Sequence, residues 1–437
     1  MNILKLKFAL FGLLAMIAMS VLMTSCEQET LPEPEVEEAF TKQKESLQVD
    51  ANEQDEKTYI VMFKTETGKK KAREDKLKSI TSREDMSKTT KRMGDDFKKE
   101  VETMTKKLNV SSEKVRDYYT FFDGVSMTLT AQEAKGLENN PLIESIEADE
   151  EIKLELPKPE ERNDEAPPHD ATKSFTDYYG WFNYRAGGYS LGGANKYTWI
   201  WIVDTGIDLD HPELNVVTNS NYAKSFVGGT PDDCDGHGTH VAGIVAAKAN
   251  NYGMVGISEG AWVVPVRILD CYGFAPYGTT FRSVLIASLN HIYSGAISGD
   301  VINMSVREYG SLGISLTNAL NCLNNKGVYT VMAAGNETRP ASQCYPARYN
   351  NSRARTVASM DNNLYMSSFS NYGRNPIDYI TIGDNVYSTY KNGSFARMSG
   401  TSMAAPVVAG IIHARGGLPT TRGYTYARNE YYPRAGL

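Results

Sequence analysis

From Lys196 onward the chain repeats one pattern: a short apolar run, a turn of small residues, then a longer segment with helical spacing. KYTWIWIVD precedes HVAGIVAAKA, AWVVPVRIL precedes RSVLIASLNHIYSG, DVINMSV precedes SLTNALNCLNNKG, and VYTVMAAG closes the series. The strand candidates are apolar almost throughout, so a sheet built from them has no wet face. Strands joined through helices run parallel, with helices on both faces. This predicts a three-layer α/β domain over 177–437 with a mostly parallel sheet. Any ligand site then lies at the carboxyl ends of the strands.

The chain upstream is of a different kind. TYIVMFK is a strand signal at Thr58, and residues 84–108 carry Met86, Met93, Phe97, Val101, Met104 and Leu108 at helical spacing. YYTFFDGVSMTLT reads as a strand pair around Asp123-Gly124, TAQEAKGLENNP as a short helix capped by threonine, and LIESIEADEEIKLEL as one last strand. The order β-α-β-β-α-β suits a small α+β open-faced sandwich over 58–156. Residues 157–176 begin PKPEERNDEAPP and read as an exposed, easily cut linker. Residues 26–57, rich in Glu, Gln, Pro and Lys, read as a flexible spacer.

At the start, Lys5 and Lys7 precede FALFGLLAMIAMSVLM, which ends in small residues before Cys26. This is the plan of a secretory signal over residues 1–25. The run is short for a membrane span. The net charge of −7 argues against a nucleic-acid binder held by phosphates. Outside the cytoplasm the remaining cysteines, Cys234, Cys271, Cys322 and Cys344, are free to form disulfides, and no CxxC pair points to zinc.

Three stretches carry chemistry. In WIVDTGID, Asp204 ends an apolar strand, where a sheltered carboxylate can orient an imidazole. In DGHGTHVAGIVA, His237 stands between two glycines at a helix start, the side chain best suited to general-base work near neutral pH. In GTSMAAPVVAG, Ser402 occupies a turn of small residues that opens into an uncharged helix. Small flanks admit substrate, and helix-terminal amides face a developing oxyanion. Asn336, after VYTVMAAG, can add a side-chain donor. Taken singly, these residues read as a turn aspartate, a structural histidine, a serine cap and a turn asparagine. A metal pair from His237 and His240 with Asp208, Asp210 or His211 is the other chemistry on offer, though the spacing is not HExxH.

In one order, DTGID, HPEL, GHGTHVAG, PVRILD, VINMS, AAGNE, SFSNYG and GTSMAAP resemble the subtilisin-like serine proteases, over roughly residues 197–412. The resemblance implies a serine endopeptidase with catalytic Asp204, His237 and Ser402 and oxyanion donor Asn336. It implies protein or peptide substrates and no cofactor for catalysis; structural Ca²⁺ is frequent in the family, with Asp378 as a candidate. DCDGHGTH and VRILDC look most like the proteinase K and aqualysin branch, which implies a Cys234–Cys271 disulfide; Cys322 and Cys344 either pair or stay free. YIVMFK, YYTFFDGVSMTLT and NPLIESIEAD look like a subtilase inhibitor propeptide, so the chain's own prosegment is an expected partner and inhibitor. Met23-Thr24-Ser25-Cys26 is similar to a bacterial lipobox, with Met23 where leucine is usual. It implies lipidation at Cys26 and a membrane partner, with the protein exported to the cell envelope or released after processing.

The chain departs from the family after Met304-Ser305, where Val306-Arg307-Glu308-Tyr309 replaces leucine and glycines, and at Phe274-Ala275-Pro276. Arg307 is expected to face solvent, as charged side chains usually do. The tail after Ile412 has no expected role. The alternatives are a catalytically silent envelope binding protein on the same scaffold and a metal-dependent hydrolase.

Overall fold

The strand alternation produces the expected sheet. The computed structural model describes residues 55–64, 67–155, 179–190, 197–270, 277–309 and 313–437. The expected signal, Cys26, the linker and Cys271 lie outside the described residues, as does nearly all of the spacer.

The N-terminal region runs β1 (Glu56–Phe63), α1 (Thr67–Lys78), α2 (Arg83–Leu108), β2 (Val115–Tyr119), β3 (Gly124–Thr130), α3 (Ala131–Glu138), β4 (Ile143–Ala148) and β5 (Glu151–Glu155). Its four-stranded sheet has the order β2-β3-β1-β4. Ser82 caps α2, and Thr130 and Glu133 form the capping box of α3. Tyr59, Val61 and Phe63 point from one face of β1 into a core with Phe97 and Val101 of α2. Ile60 and Met62 point the other way, into the core of the larger domain. Two expectations change here. Helix α1 was not foreseen, and the single strand expected over LIESIEADEEIKLEL is two: β4 closes the small sheet and β5 leaves it.

The larger domain opens with α4 (Trp181–Ala186), β6 (Ile200–Asp204), β7 (Asn215–Val216), β8 (Lys224–Ser225), α5 (His237–Ala246), β9 (Trp262–Arg267), β10 (Tyr277–Phe281), α6 (Arg282–Gly295), β11 (Val301–Met304) and β12 (Glu308–Tyr309). It continues with α7 (Ile314–Asn325), β13 (Tyr329–Ala333), β14 (Cys344–Tyr345), β15 (Ala354–Met360), β16 (Ile377–Ile382), β17 (Val386–Tyr390), β18 (Ser394–Met398), α8 (Thr401–Arg415), β19 (Thr420–Ala427) and β20 (Glu430–Gly436). The main sheet has the order β19-β20-β16-β15-β13-β11-β6-β9-β7, with β8 also on β9. Its pairs are parallel except β19 with β20.

Period-two alternation divides the strands between two helical layers. Ile200 and Ile202 face a core with Val241 and Val245 of α5 and Val407 and Ile411 of α8. Trp201 and Val203 face the opposite core, with Leu285 and Leu289 of α6 and Leu320 of α7. The tail forms a hairpin, β19–β20, on the edge of the sheet. Its turn places Arg428 and Asn429 at φ 52° and 65°, the geometry of a two-residue hairpin loop. Cys322 and Cys344 are both buried and are thiols, not joined in a disulfide.

The N-terminal region closes over α6 and α7. Glu147 accepts hydrogen bonds from the Ile314 and Ser315 N–H groups and the Ser315 hydroxyl at the start of α7. Asp149 accepts from Ser283 N–H at 2.8 Å and its Oγ at 2.6 Å at the start of α6. Both helices thus receive a carboxylate at their positive end.

His291, on the face of α6 packed against Trp201 and Phe226, donates from Nε2 to the Tyr222 carbonyl at 2.7 Å. Burial drives its pKa from 6.5 down to about 4. The folded state holds the neutral ring while the unfolded chain takes up a proton near its ordinary value. Stability is therefore lost as pH falls from 6.5 to about 4, by up to about 3 kcal/mol. Denaturant unfolding of full-length Ser402→Ala across that range should show this slope. His291→Gln should flatten it, and an unchanged slope would remove His291 as its source.

Candidate active site

Asp204 is the last residue of β6 and is completely buried. Its Oδ1 accepts the Thr205 N–H at 2.8 Å and lies 2.7 Å from His237 Nδ1. A carboxylate adjoining two donors accepts only, so the imidazole proton on this side is on Nδ1. Nε2 is left as the basic nitrogen.

His237 is the first residue of α5. Two neighbours need to be glycine for steric reasons. Gly236 has φ 108°, and a Cβ there would lie 2.1 Å from the Tyr390 ring. A Cβ on Gly238 would lie 2.1 Å from the Gly206 carbonyl oxygen, so the DTG turn and the GHG turn interlock backbone to backbone.

Asp233 organises this turn and is a residue that the sequence reading passed over. Its carboxylate accepts from Thr205 Oγ1 at 2.9 Å, Gly236 N–H at 2.8 Å, Asp235 N–H at 3.0 Å, and Thr239 N–H at 2.8 Å and Oγ1 at 2.5 Å. Burial pushes its pKa up, and the bonds from Thr239 and Gly236 pull it back. The signal was present as an aspartate four residues before His237, where a helix start needs acceptors.

Ser402 is the second residue of α8, and 6% of its surface is exposed. Pro406 lies inside this helix and has no N–H to offer the Ser402 carbonyl four residues back. Ser305 Oγ, just past β11, donates to that carbonyl instead at 3.3 Å. Asn336, just past β13, is joined to the same turn: its Oδ1 accepts the Thr401 N–H and hydroxyl, both at 2.8 Å. With Oδ1 so occupied, Nδ2 is turned toward Gly400, where an added Cβ would lie 3.2 Å away. This is why the turn is built of small residues.

Asn371, from SFSNYG, braces the Asn336 loop. Its Nδ2 donates to the Ala334 carbonyl at 2.9 Å, and its Oδ1 accepts from Glu337 N–H at 3.1 Å and Arg339 N–H at 2.9 Å. The expectation for Arg307 is corrected. It is buried and pairs with Glu337, next to Asn336. A carboxylate brought beside it by β13 removes the reason for a solvent-facing arginine.

β6, β11 and β13 are neighbours in the sheet, so Asp204, Ser305 and Asn336 share its carboxyl rim. α5 and α8, which carry His237 and Ser402, pack on each other over the same face. His240 and His211, the other histidines of the metal reading, are engaged elsewhere. His240 Nε2 lies 3.1 Å from the carbonyls of Val386 and Ala396, and His211 Nε2 lies 3.1 Å from that of Ser394. Among the described residues no group of three or more His, Cys, Asp or Glu is placed to hold a metal ion. Asp378 accepts the Thr356 N–H at 2.9 Å and faces Arg355 at 4.0 Å.

A peptide strand already lies beside this rim. β5 pairs antiparallel with β10, from Glu151 opposite Phe281 to Glu155 opposite Tyr277, and β12 lies close to it. A buried carboxylate–imidazole pair, a serine at a helix start, an amide donor and a strand-binding groove together define a peptide hydrolase of the acyl-transfer class.

Comparison with known proteins agrees. The subtilase family model matches residues 195–414 and the peptidase inhibitor I9 model residues 58–155. An extracellular serine proteinase of Thermus sp. (strain Rt41A) is 34% identical over 312 residues, 69% of this chain and 68% of that protein. A cuticle-degrading protease of Metarhizium anisopliae is 31% identical over 304 residues, 67% and 71% of the two chains. Thermitase of Thermoactinomyces vulgaris is 40% identical over 222 residues, 48% and 72%. The chain belongs to the subtilase family and is a subtilisin-like serine endopeptidase, made as a zymogen with an I9 inhibitor prosegment.

Asp233→Ala strands five donors around His237. It should cost about 3 kcal/mol in the unfolding of full-length Ser402→Ala. In the active chain it should lower kcat more than it changes KM. A cost within about 0.5 kcal/mol would show that the turn holds without it.

Proposed function

We propose that Ser402 is the nucleophile, His237 the general base, Asp204 the group that orients and charges against His237, and Asn336 an oxyanion donor. The observation that carries this is the 2.7 Å contact between buried Asp204 and His237 Nδ1. It leaves Nε2 to take the Ser402 proton as Oγ attacks the substrate carbonyl. The Asn336 amide and the Ser402 backbone N–H stabilise the tetrahedral oxygen. His237 then protonates the leaving amine, and water, activated by the same ring, hydrolyses the acyl-enzyme.

We further propose the partition read from the sequence: signal over 1–25, spacer over 26–57, propeptide over 58–156, processing within or beside the linker over 157–176, and catalytic domain over 177–437. The strand pairing of β5 with β10 supports a prosegment whose C-terminal part fills the substrate groove before it is cut. Residues 1–25 support export, and Cys26 is the proposed acylation point. The likeness of DCDGHGTH and VRILDC to the proteinase K and aqualysin branch supports a Cys234–Cys271 disulfide in the mature region. No Ca²⁺ site is assigned.

A fluorophosphonate probe should label the processed protein at Ser402 and leave Ser402→Ala unlabelled; absence of label in the processed protein would end this reading. Asn336→Ala should retain labelling and lose about 10²–10³ in kcat, the loss known for removal of such a donor from subtilisin itself. N-terminal sequencing of the active form locates the cut, expected between residues 150 and 180. A cut elsewhere would redraw the partition.

A further inference from the structure

We infer that the catalytic domain carries a guanidinium receptor at the amino ends of β6 and β11, occupied in the precursor by Arg83 and suited to an arginine side chain. Arg83 is the first residue of α2. Its Nη1 donates to Asp300 Oδ2 at 2.7 Å and to the Gly295 carbonyl at 3.2 Å. Its Nη2 donates to Asp300 Oδ1 at 2.7 Å and to the Tyr197 carbonyl at 2.9 Å. The Trp199 ring lies under the guanidinium, 3.7 Å from Cζ to centroid. A fork-to-fork carboxylate, two further carbonyl acceptors and an indole under the guanidinium match features that separate arginine from lysine.

The receptor is preformed. Asp300 is completely buried. Its Oδ1 accepts the Trp199 N–H at 2.9 Å, and its Oδ2 accepts Trp201 Nε1–H at 2.9 Å and the Ile297 N–H at 3.2 Å. These donors all belong to the larger domain, so the carboxylate stays aimed when the prosegment leaves. Lys326, the other cation near Asp300, is committed to the Tyr293 carbonyl. Departure of Arg83 leaves a buried carboxylate facing outward with neutral donors alone, an arrangement that favours a new cation.

The receptor is separate from the cleft. Asp300 and Trp199 immediately precede β11 and β6, whereas Asp204 ends β6. Five strand residues place the two sites about 15 Å apart along the sheet. The inference concerns binding alone and does not need the protease reading to hold.

The test is chemical rescue in full-length Ser402→Ala, with intactness checked by mass. Arg83→Ala should lower Tm by about 2–4 °C or more. n-Propylguanidinium, on the order of 10 mM, should restore at least about half of that loss. n-Propylammonium at the same concentration should restore none, and the chain that keeps Arg83 should not respond to either compound. Arg83→Lys should melt below its parent, which also serves if Arg83→Ala fails to fold. Absence of rescue, equal rescue by the ammonium ion, equal response with Arg83 present, or Arg83→Lys melting with its parent would each overturn the inference.

Discussion

The Asp204 side chain has no exposed surface, and the rim of the sheet is arranged around that fact. A buried carboxylate is costly unless donors surround it. Two come at short range, Thr205 N–H and His237 Nδ1. To bring His237 there, the start of α5 must descend onto the DTG turn until Gly238 touches the Gly206 carbonyl. That approach in turn leaves the first amides of α5 near the same place. Asp233 accepts the Gly236 and Thr239 N–H groups, so one buried acid is positioned by a turn that a second buried acid holds together.

Ser402 and Asn336 reach the rim by an independent route. The Ser402 turn is fastened from β11 through Ser305 and from β13 through Asn336, and the helix behind it is one proline short of a full hydrogen-bond ladder. Both fastenings hold the backbone or the Asn336 oxygen. The Ser402 hydroxyl and the Asn336 amide nitrogen are left out of them. The groups proposed to act are thus oriented through the atoms beside them.

Legibility of the sequence followed the range of the interactions. β6, β9, β11 and β13 were readable because both faces are buried, so each is largely apolar. The Thr130–Glu133 capping box and the glycines beside His237 are local signals, and both are where the pattern placed them. Arg307 was misread because its partner, Glu337, is thirty positions away and arrives only through the β11–β13 pairing. The β4–β5 break lies in a continuous acidic run, and what ends β4 is the capture of Glu147 and Asp149 by two helices of the other domain. Helix α1 has a sequence almost without apolar residues, with Leu77 its buried contact. The tail hairpin was hidden by its exposed tyrosines, Tyr424, Tyr426 and Tyr431, which carry no apolar alternation.

How the prosegment holds the catalytic domain follows from where its contacts lie along the chain. In the groove, β5 pairs with β10 through backbone, as any extended peptide of suitable shape can. The contacts that distinguish the prosegment from a substrate lie upstream: Arg83 on Asp300, Ile60 and Met62 against α6 and α7, Cys322 Sγ–H donating to the Phe121 carbonyl at 3.1 Å, and Glu147 and Asp149 on the two helix starts. On the prosegment side none of them involves a residue beyond 155. A cut in the segment that follows β5 therefore removes none of these contacts and leaves the groove filled. Cleavage of the chain and release of the prosegment are separate events in this architecture. Release requires breaking contacts at the amino ends of β6 and β11 and at the starts of α6 and α7.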